Sequence, residues 1–156
     1  MNAPQDALDA RTLLKESRDR TSGAIQPIEI DEASWHVSME SGGEFTAEWS
    51  TDWSRLVLTA DLGPPSTQGE LAALNLALAY NATWREVGTL RLARDPSDGH
   101  LLLIGDIGPD DNLDDGLTPA LLHFDELRNW WTQALNQATP VHALPPSTFD
   151  PFVQRI

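Results

Sequence analysis

Apolar residues recur along this chain at two spacings, and the switches between them set out its elements. From Asp6 to Arg20, Ala7, Ala10 and Leu14 fall on one helical face and Leu13 widens it. Asp6 and Asp9 come early and Arg18 and Arg20 late, the order a helix dipole favours. Thr21-Ser-Gly23 ends this helix, and Pro27 keeps the next stretch extended. The spacing then drops to two. Trp35, Val37 and Met39 share one face of a strand over Ser34–Met39, and Phe45, Ala47 and Trp49 share one face of Glu44–Trp49. Arg55–Ala60 is more continuously apolar and reads as a more central strand. The short links Ser41-Gly-Gly43 and Ser50-Thr-Asp52 imply an antiparallel meander.

A helix follows Pro64 and Pro65. Thr67-Gln-Gly-Glu70 has the form of a capping box, and Leu71-Ala-Ala-Leu74-Asn-Leu76-Ala-Leu78-Ala-Tyr80 carries the helix to about Trp84. Its apolar side chains point nearly all round, so more than one side must be covered. One sheet covers one side. A second copy of the chain is the simplest cover for the other, and Leu71, Leu74, Asn75 and Leu78 are the expected dimer contacts. Gly88–Ala93 and His100–Ile104 are strands four and five, joined by the turn residues Asp95-Pro-Ser-Asp-Gly99. The last helix starts with Thr118 as cap and Pro119 in its first turn. Ala120, Phe124, Leu127, Trp131, Leu135 and Ala138 recur along it at spacings of three and four. Residues 139–156 hold Pro140, Pro145, Pro146 and Pro151 without helical period and read as a tail to a single domain over 1–138. The expected fold is α+β: an antiparallel sheet flanked by helices in the order α-β-β-β-α-β-β-α.

Charge changes this picture more than chemistry does. The chain has 156 residues, with 24 Asp and Glu against 10 Lys and Arg, a formal net charge of −14. That field disfavours nucleic acid and anionic membranes. It suits solubility or a basic partner. There is no cysteine, which excludes disulfides, zinc–thiolate sites and thiol nucleophiles. No apolar run has the length of a membrane span, and the N-terminus lacks the pattern of a signal peptide, so a cytoplasmic location is expected. His36, His100, His123 and His142 have no metal-ligand spacing. Asp110-Asp-Asn-Leu-Asp-Asp-Gly116 is rich in oxygen ligands, but it fails as a calcium loop, with Asp115 in the glycine slot and Leu121 at the twelfth position. Six tryptophans are many for this length, and adjacent Trp130 and Trp131 cannot both face one way on a helix. Some aromatic surface is therefore expected outside the core, as at a protein-binding site.

These parts together resemble the class I type III secretion chaperones, the Tir-chaperone (CesT) family, over about residues 6 to 138. The residues that carry the resemblance are the strand Arg55-Leu-Val-Leu-Thr-Ala-Asp-Leu-Gly63 with its Pro-rich turn, the helix Glu70–Leu78, the two strands from Gly88 to Ile104, and the aromatic helix Phe124–Leu135. The resemblance implies a cytoplasmic homodimer with no enzymatic activity and no cofactor. It would bind the non-globular N-terminal segment of secreted effector proteins, keep it soluble, and present it to the secretion apparatus and its ATPase. The segment would be held by strand addition at a sheet edge and by apolar patches. Leu13, Leu14, Trp35, Val37, Phe45 and Trp49 are the expected effector contacts. The Ala, Asp and Leu content fits the multi-effector, HpaB-like kind. Two features depart from the family pattern: a long stretch from Thr21 to Ala33, and the tail. Two other readings stand beside this one. One is a small acidic immunity or antitoxin-like inhibitor of a basic toxin. The other is a metal hydrolase using Asp110, Asp111, Asp114 and Asp115.

Overall fold

The computed structural model describes residues 3–136; the tail assigned to 139–156 lies outside the described residues. Its elements are α1 (Ala7–Arg20), β1 (Ile25–Asp31), β2 (Ser34–Met39), β3 (Glu44–Ser50), β4 (Arg55–Asp61), α2 (Glu70–Ala82), the single turn α3 (Trp84–Val87), β5 (Arg91–Arg94), β6 (Leu101–Ile107) and α4 (Thr118–Asn136). The six strands form one antiparallel sheet in the order β1-β2-β3-β4-β6-β5. The α+β fold and the order of its elements are as expected. One strand is added: β1, which spans Pro27 itself and the extended stretch that follows it.

Strand alternation sorts the side chains onto two faces. Trp35, Val37, Phe45, Ala47, Trp49, Leu56, Leu58, Leu103 and Ile107 are buried on one of them. There they meet Leu13 and Leu14 of α1 and Phe124, Leu127, Trp131 and Leu135 of α4 in one core. Phe45 meets Phe124 edge to face at 5.1 Å, and Tyr80 of α2 meets Trp131 in the same way at 5.2 Å. The other face carries Ile28, His36, Thr46, Thr59 and Ile104 in one cross-strand row. All five are exposed or half-buried.

α4 is locked to the β2–β3 turn by a polar contact. Asp125 is 5% exposed. Its carboxylate accepts from Ser41 Oγ at 2.6 Å and from Arg128 Nε at 2.8 Å. A Cβ on Gly43 would run into the Asp125 carboxylate and the Arg128 guanidinium, so the close approach of turn and helix requires glycine there.

Two caps differ from expectation. α2 starts at Glu70, with Gly69 as its cap and no side-chain cap bond. Thr67 and Glu70 therefore form no capping box. The turn before α2 is closed instead by Ser66, whose hydroxyl accepts from Gly69 N–H at 3.1 Å. Thr118 is the first helical residue of α4, and its buried hydroxyl caps nothing.

Candidate protein-binding surfaces

A six-stranded open sheet has two edges, and here they are treated differently. At the β5 edge, Asn81 of α2 acts as a short piece of strand. Its side-chain Nδ2 donates to Leu92 O at 2.9 Å, and its Oδ1 accepts from Leu92 N–H at 2.8 Å. With Glu70 also paired to Arg94 at 3.0 Å, α2 covers this edge. At β1, Thr21 Oγ1 takes the Ile25 N–H at 3.2 Å, and among the described residues no side chain bonds the backbone of Pro27 or Glu29. Ile28 and Ile30 are 57% and 61% exposed, and Leu8 on α1 is 64% exposed. α1 lies along this strand and is pinned to it by Arg11 and Glu29 at 2.6 Å. An open edge beside exposed apolar side chains is the arrangement that accepts an added strand.

The second surface is the outer side of α2. Ala77 and Tyr80 are the residues it buries. Leu71 and Leu78 are 74% and 67% exposed, while Leu74 is half-buried and Asn75 exposed. These four lie at helical spacings of three and four and form one stripe. Trp84, at the start of α3, is 51% exposed. The structure thus leaves the stripe assigned to dimerisation open in the single chain.

The six residues assigned to effector contact need correction. Leu13, Leu14, Trp35, Val37, Phe45 and Trp49 are between 0% and 6% exposed. The alternation that singled them out is real, but the face it marks is filled by this chain's own α1 and α4. They form the core and offer no surface. The exposed apolar residues near a free edge are Leu8, Ile28 and Ile30 instead. Their signal was present in Ile28-Glu-Ile30, an apolar–polar alternation that Pro27 masked. Of the tryptophans, Trp53 on the β3–β4 turn and Trp84 are the exposed ones, at 76% and 51%.

The polar groups serve the scaffold. Asp106 accepts from Arg91 at 3.0 Å and lies 3.8 Å from Arg55, tying β5, β6 and β4 together. In the acidic loop, Asp111 accepts from Gly108 N–H at 2.6 Å, and Asn112 donates to Asp114 at 2.8 Å. Burial raises the Asp111 pKa. No group of three or more metal-ligating side chains converges among the described residues.

His100 Nδ1 lies 2.9 Å from the Asp61 carboxylate and 3.6 Å from Asp98. The Asp61 hydrogen bond raises the His100 pKa, against a smaller effect of burial and with help from the charges of Asp61, Asp98 and Asp95. At Asp61 burial pushes upward, but the bonds from His100 and Gly63 N–H outweigh it and lower the pKa. This pair closes the start of β6 onto the loop that leads to α2, beside the bond from Leu101 N–H to Gly63 O at 3.0 Å. A raised histidine pKa contributes stability that is complete below the unfolded value of about 6.5 and fades as pH rises through the folded value. His100→Ala is therefore expected to lower Tm at pH 6 and to have little effect at pH 9. Equal losses at both would show that the charge plays no part.

The solved structures in which the fold recurs include three complexes. The HopA1–SchA chaperone–effector complex matches at TM-score 0.62 and 18% identity, covering 83% of this chain and 94% of that one. The ExsC–ExsE complex matches at 0.65 and 19%, covering 88% and 98%. The heterodimeric ExoU–SpcU complex from the type III secretion system of Pseudomonas aeruginosa matches at 0.52 and 16%, covering 80% and 96%. At such identities the likeness is one of fold. No curated protein matches the chain. The family model of the Tir chaperone protein (CesT) family matches residues 12–127, from α1 into α4, and the chain belongs to that family.

Proposed function

We propose that this protein is a type III secretion chaperone that binds the non-globular N-terminal segment of secreted effectors at the outer edge of β1. It keeps that segment soluble and extended and delivers it to the secretion apparatus, with the secretion ATPase as the receiving partner. It works as a homodimer joined through α2, in the cytoplasm. No described helix is long and apolar enough to cross a membrane. Family membership supports the function. The observation that carries the placement is the contrast between edges: Asn81 occupies β5, while β1 stays open beside Ile28, Ile30 and Leu8.

The composition fits this reading. A guest with apolar side chains needs exposed apolar side chains on its carrier, and those invite self-association. A net charge of −14 opposes it. The family and its solved relatives are chaperones, and no catalytic role is assigned to any residue.

Ile28→Asp with Ile30→Asp tests the placement. Both side chains are exposed, so the fold should persist. Affinity for an effector N-terminal segment is expected to fall at least about tenfold, since each isoleucine is worth about 1 kcal/mol or more when covered. Titration of a labelled segment by fluorescence anisotropy measures it. Unchanged affinity in the folded variant moves the guest off this edge.

A further inference from the structure

The β1 edge is unusual in what its backbone offers. Glu40 N–H donates to Ala24 O at 2.8 Å, and the register pairs Gln26 with Ser38 and Ile28 with His36. The backbone groups of Ala24, Gln26 and Ile28 therefore face β2. Those of Ile25, Pro27 and Glu29 face away from the sheet, as antiparallel pairing requires. Pro27 thus sits in the one parity where its missing N–H costs the sheet nothing. The Ile25 N–H is already taken, because it donates to Thr21 Oγ1 at 3.2 Å. Glu29 is left as the outward donor. All three outward residues keep their carbonyls.

We infer that Pro27 and the Thr21 hydroxyl make β1 an acceptor-rich, donor-poor edge that takes an extended guest chain and refuses a second copy of itself. The inference rests on the reading of β1 as the guest edge. Two copies of β1 pairing antiparallel about Pro27 would set Pro27 against Pro27, with no donor on either side. They would also set Ile25 against the second copy's Glu29, where only the glutamate N–H is free. Most of that ladder cannot form. A guest chain with its own N–H groups meets a smaller deficit: it can donate to the carbonyls of Ile25, Pro27 and Glu29 and accept from the Glu29 N–H, and only its carbonyls opposite Ile25 and Pro27 find no donor. The selection is for an extended segment without proline or other N-substituted residues opposite those carbonyls. The register shift between Glu29 and Asp31 limits a flat match at the far end of the strand.

This device addresses a hazard specific to a dimer. If α2 joins two chains, each dimer carries two β1 edges, and edge-to-edge pairing would link dimers into open chains.

The test uses the full chain and needs no guest. Pro27→Ala with Thr21→Val restores the donors at both positions. Sedimentation velocity over a hundredfold range of concentration should then show species at multiples of the wild-type mass, with self-association tightened at least tenfold. Adding Ile28→Lys, a charge on the same strand, should return the mass to the wild-type value. Pro27→Ala alone breaks no hydrogen bond and should move in the same direction by less. The inference is overturned if the folded variants keep the wild-type mass at every concentration, or if association survives Ile28→Lys. Failure of an effector segment to bind β1 is a separate result. It would remove the guest and leave the refusal of self-pairing as measured.

Discussion

Aspartate at both Leu71 and Leu78 is expected to give a folded monomer. The two side chains are 74% and 67% exposed in the single chain, so replacing them removes little packing within it. Across a twofold pair of α2 helices the same positions lie on the joining stripe with Leu74. Four carboxylates would then enter an apolar seam without partners. Each unpaired charge costs several kcal/mol to bury. Even partial burial weakens the dimer by about a thousandfold, ~4 kcal/mol. Light scattering behind size exclusion reads the mass directly, and circular dichroism checks the fold. A folded variant at the wild-type mass would place the joining surface elsewhere. Loss of fold would mean that this stripe supports the single chain.

Asp125→Ala is expected to be among the most costly changes within one chain. Asp125 and Arg128 have side-chain exposures of 8% and 12%, and the pair is completed by Ser41 on the β2–β3 turn. Removing the carboxylate leaves the largely covered guanidinium without its ion partner, with Asn129 Oδ1 still accepting from it. Such losses cost about 3–5 kcal/mol, more than a typical core truncation of one or two methyls. At about 3 °C per kcal/mol for a chain of this size, Tm should fall by roughly 10 °C. Asp125→Asn keeps an acceptor for Ser41 and should cost less. A thermal scan showing less than about 1 kcal/mol for the alanine variant would mean that solvent reaches the guanidinium and that the contact is a surface pair.

The two faces of β2 and β3 were legible because their cause is local. Trp35, Val37 and Met39, then Phe45, Ala47 and Trp49, alternate against polar neighbours, and each set lies on one face as alternation demands. The far half of α4 was legible for the same reason at helical spacing. What covers each face was not legible. The alternating apolar face looks the same whether a guest or the chain's own helices fill it, and α1 and α4 fill it here. β1 was hidden by Pro27, which suppresses a strand reading unless the edge geometry is known. Asp125 and Arg128, three apart on a helix, read as an ordinary surface pair. Only a turn some eighty residues earlier in the chain makes them buried. Asn81 carried no signal either, since its work on Leu92 depends on where α2 lands against β5.

Hydrogen–deuterium exchange on the wild-type chain, with and without the N-terminal segment of a type III effector from its own bacterium, tests the central claim most directly. Binding should slow exchange along β1, with the Glu29 amide the one that gains a partner, and should protect the flank of α1 around Leu8 and Arg11. The Leu92 amide, already held by Asn81, should not change. Protection at β5 with none at β1, or no protection anywhere at saturating segment, would contradict the account.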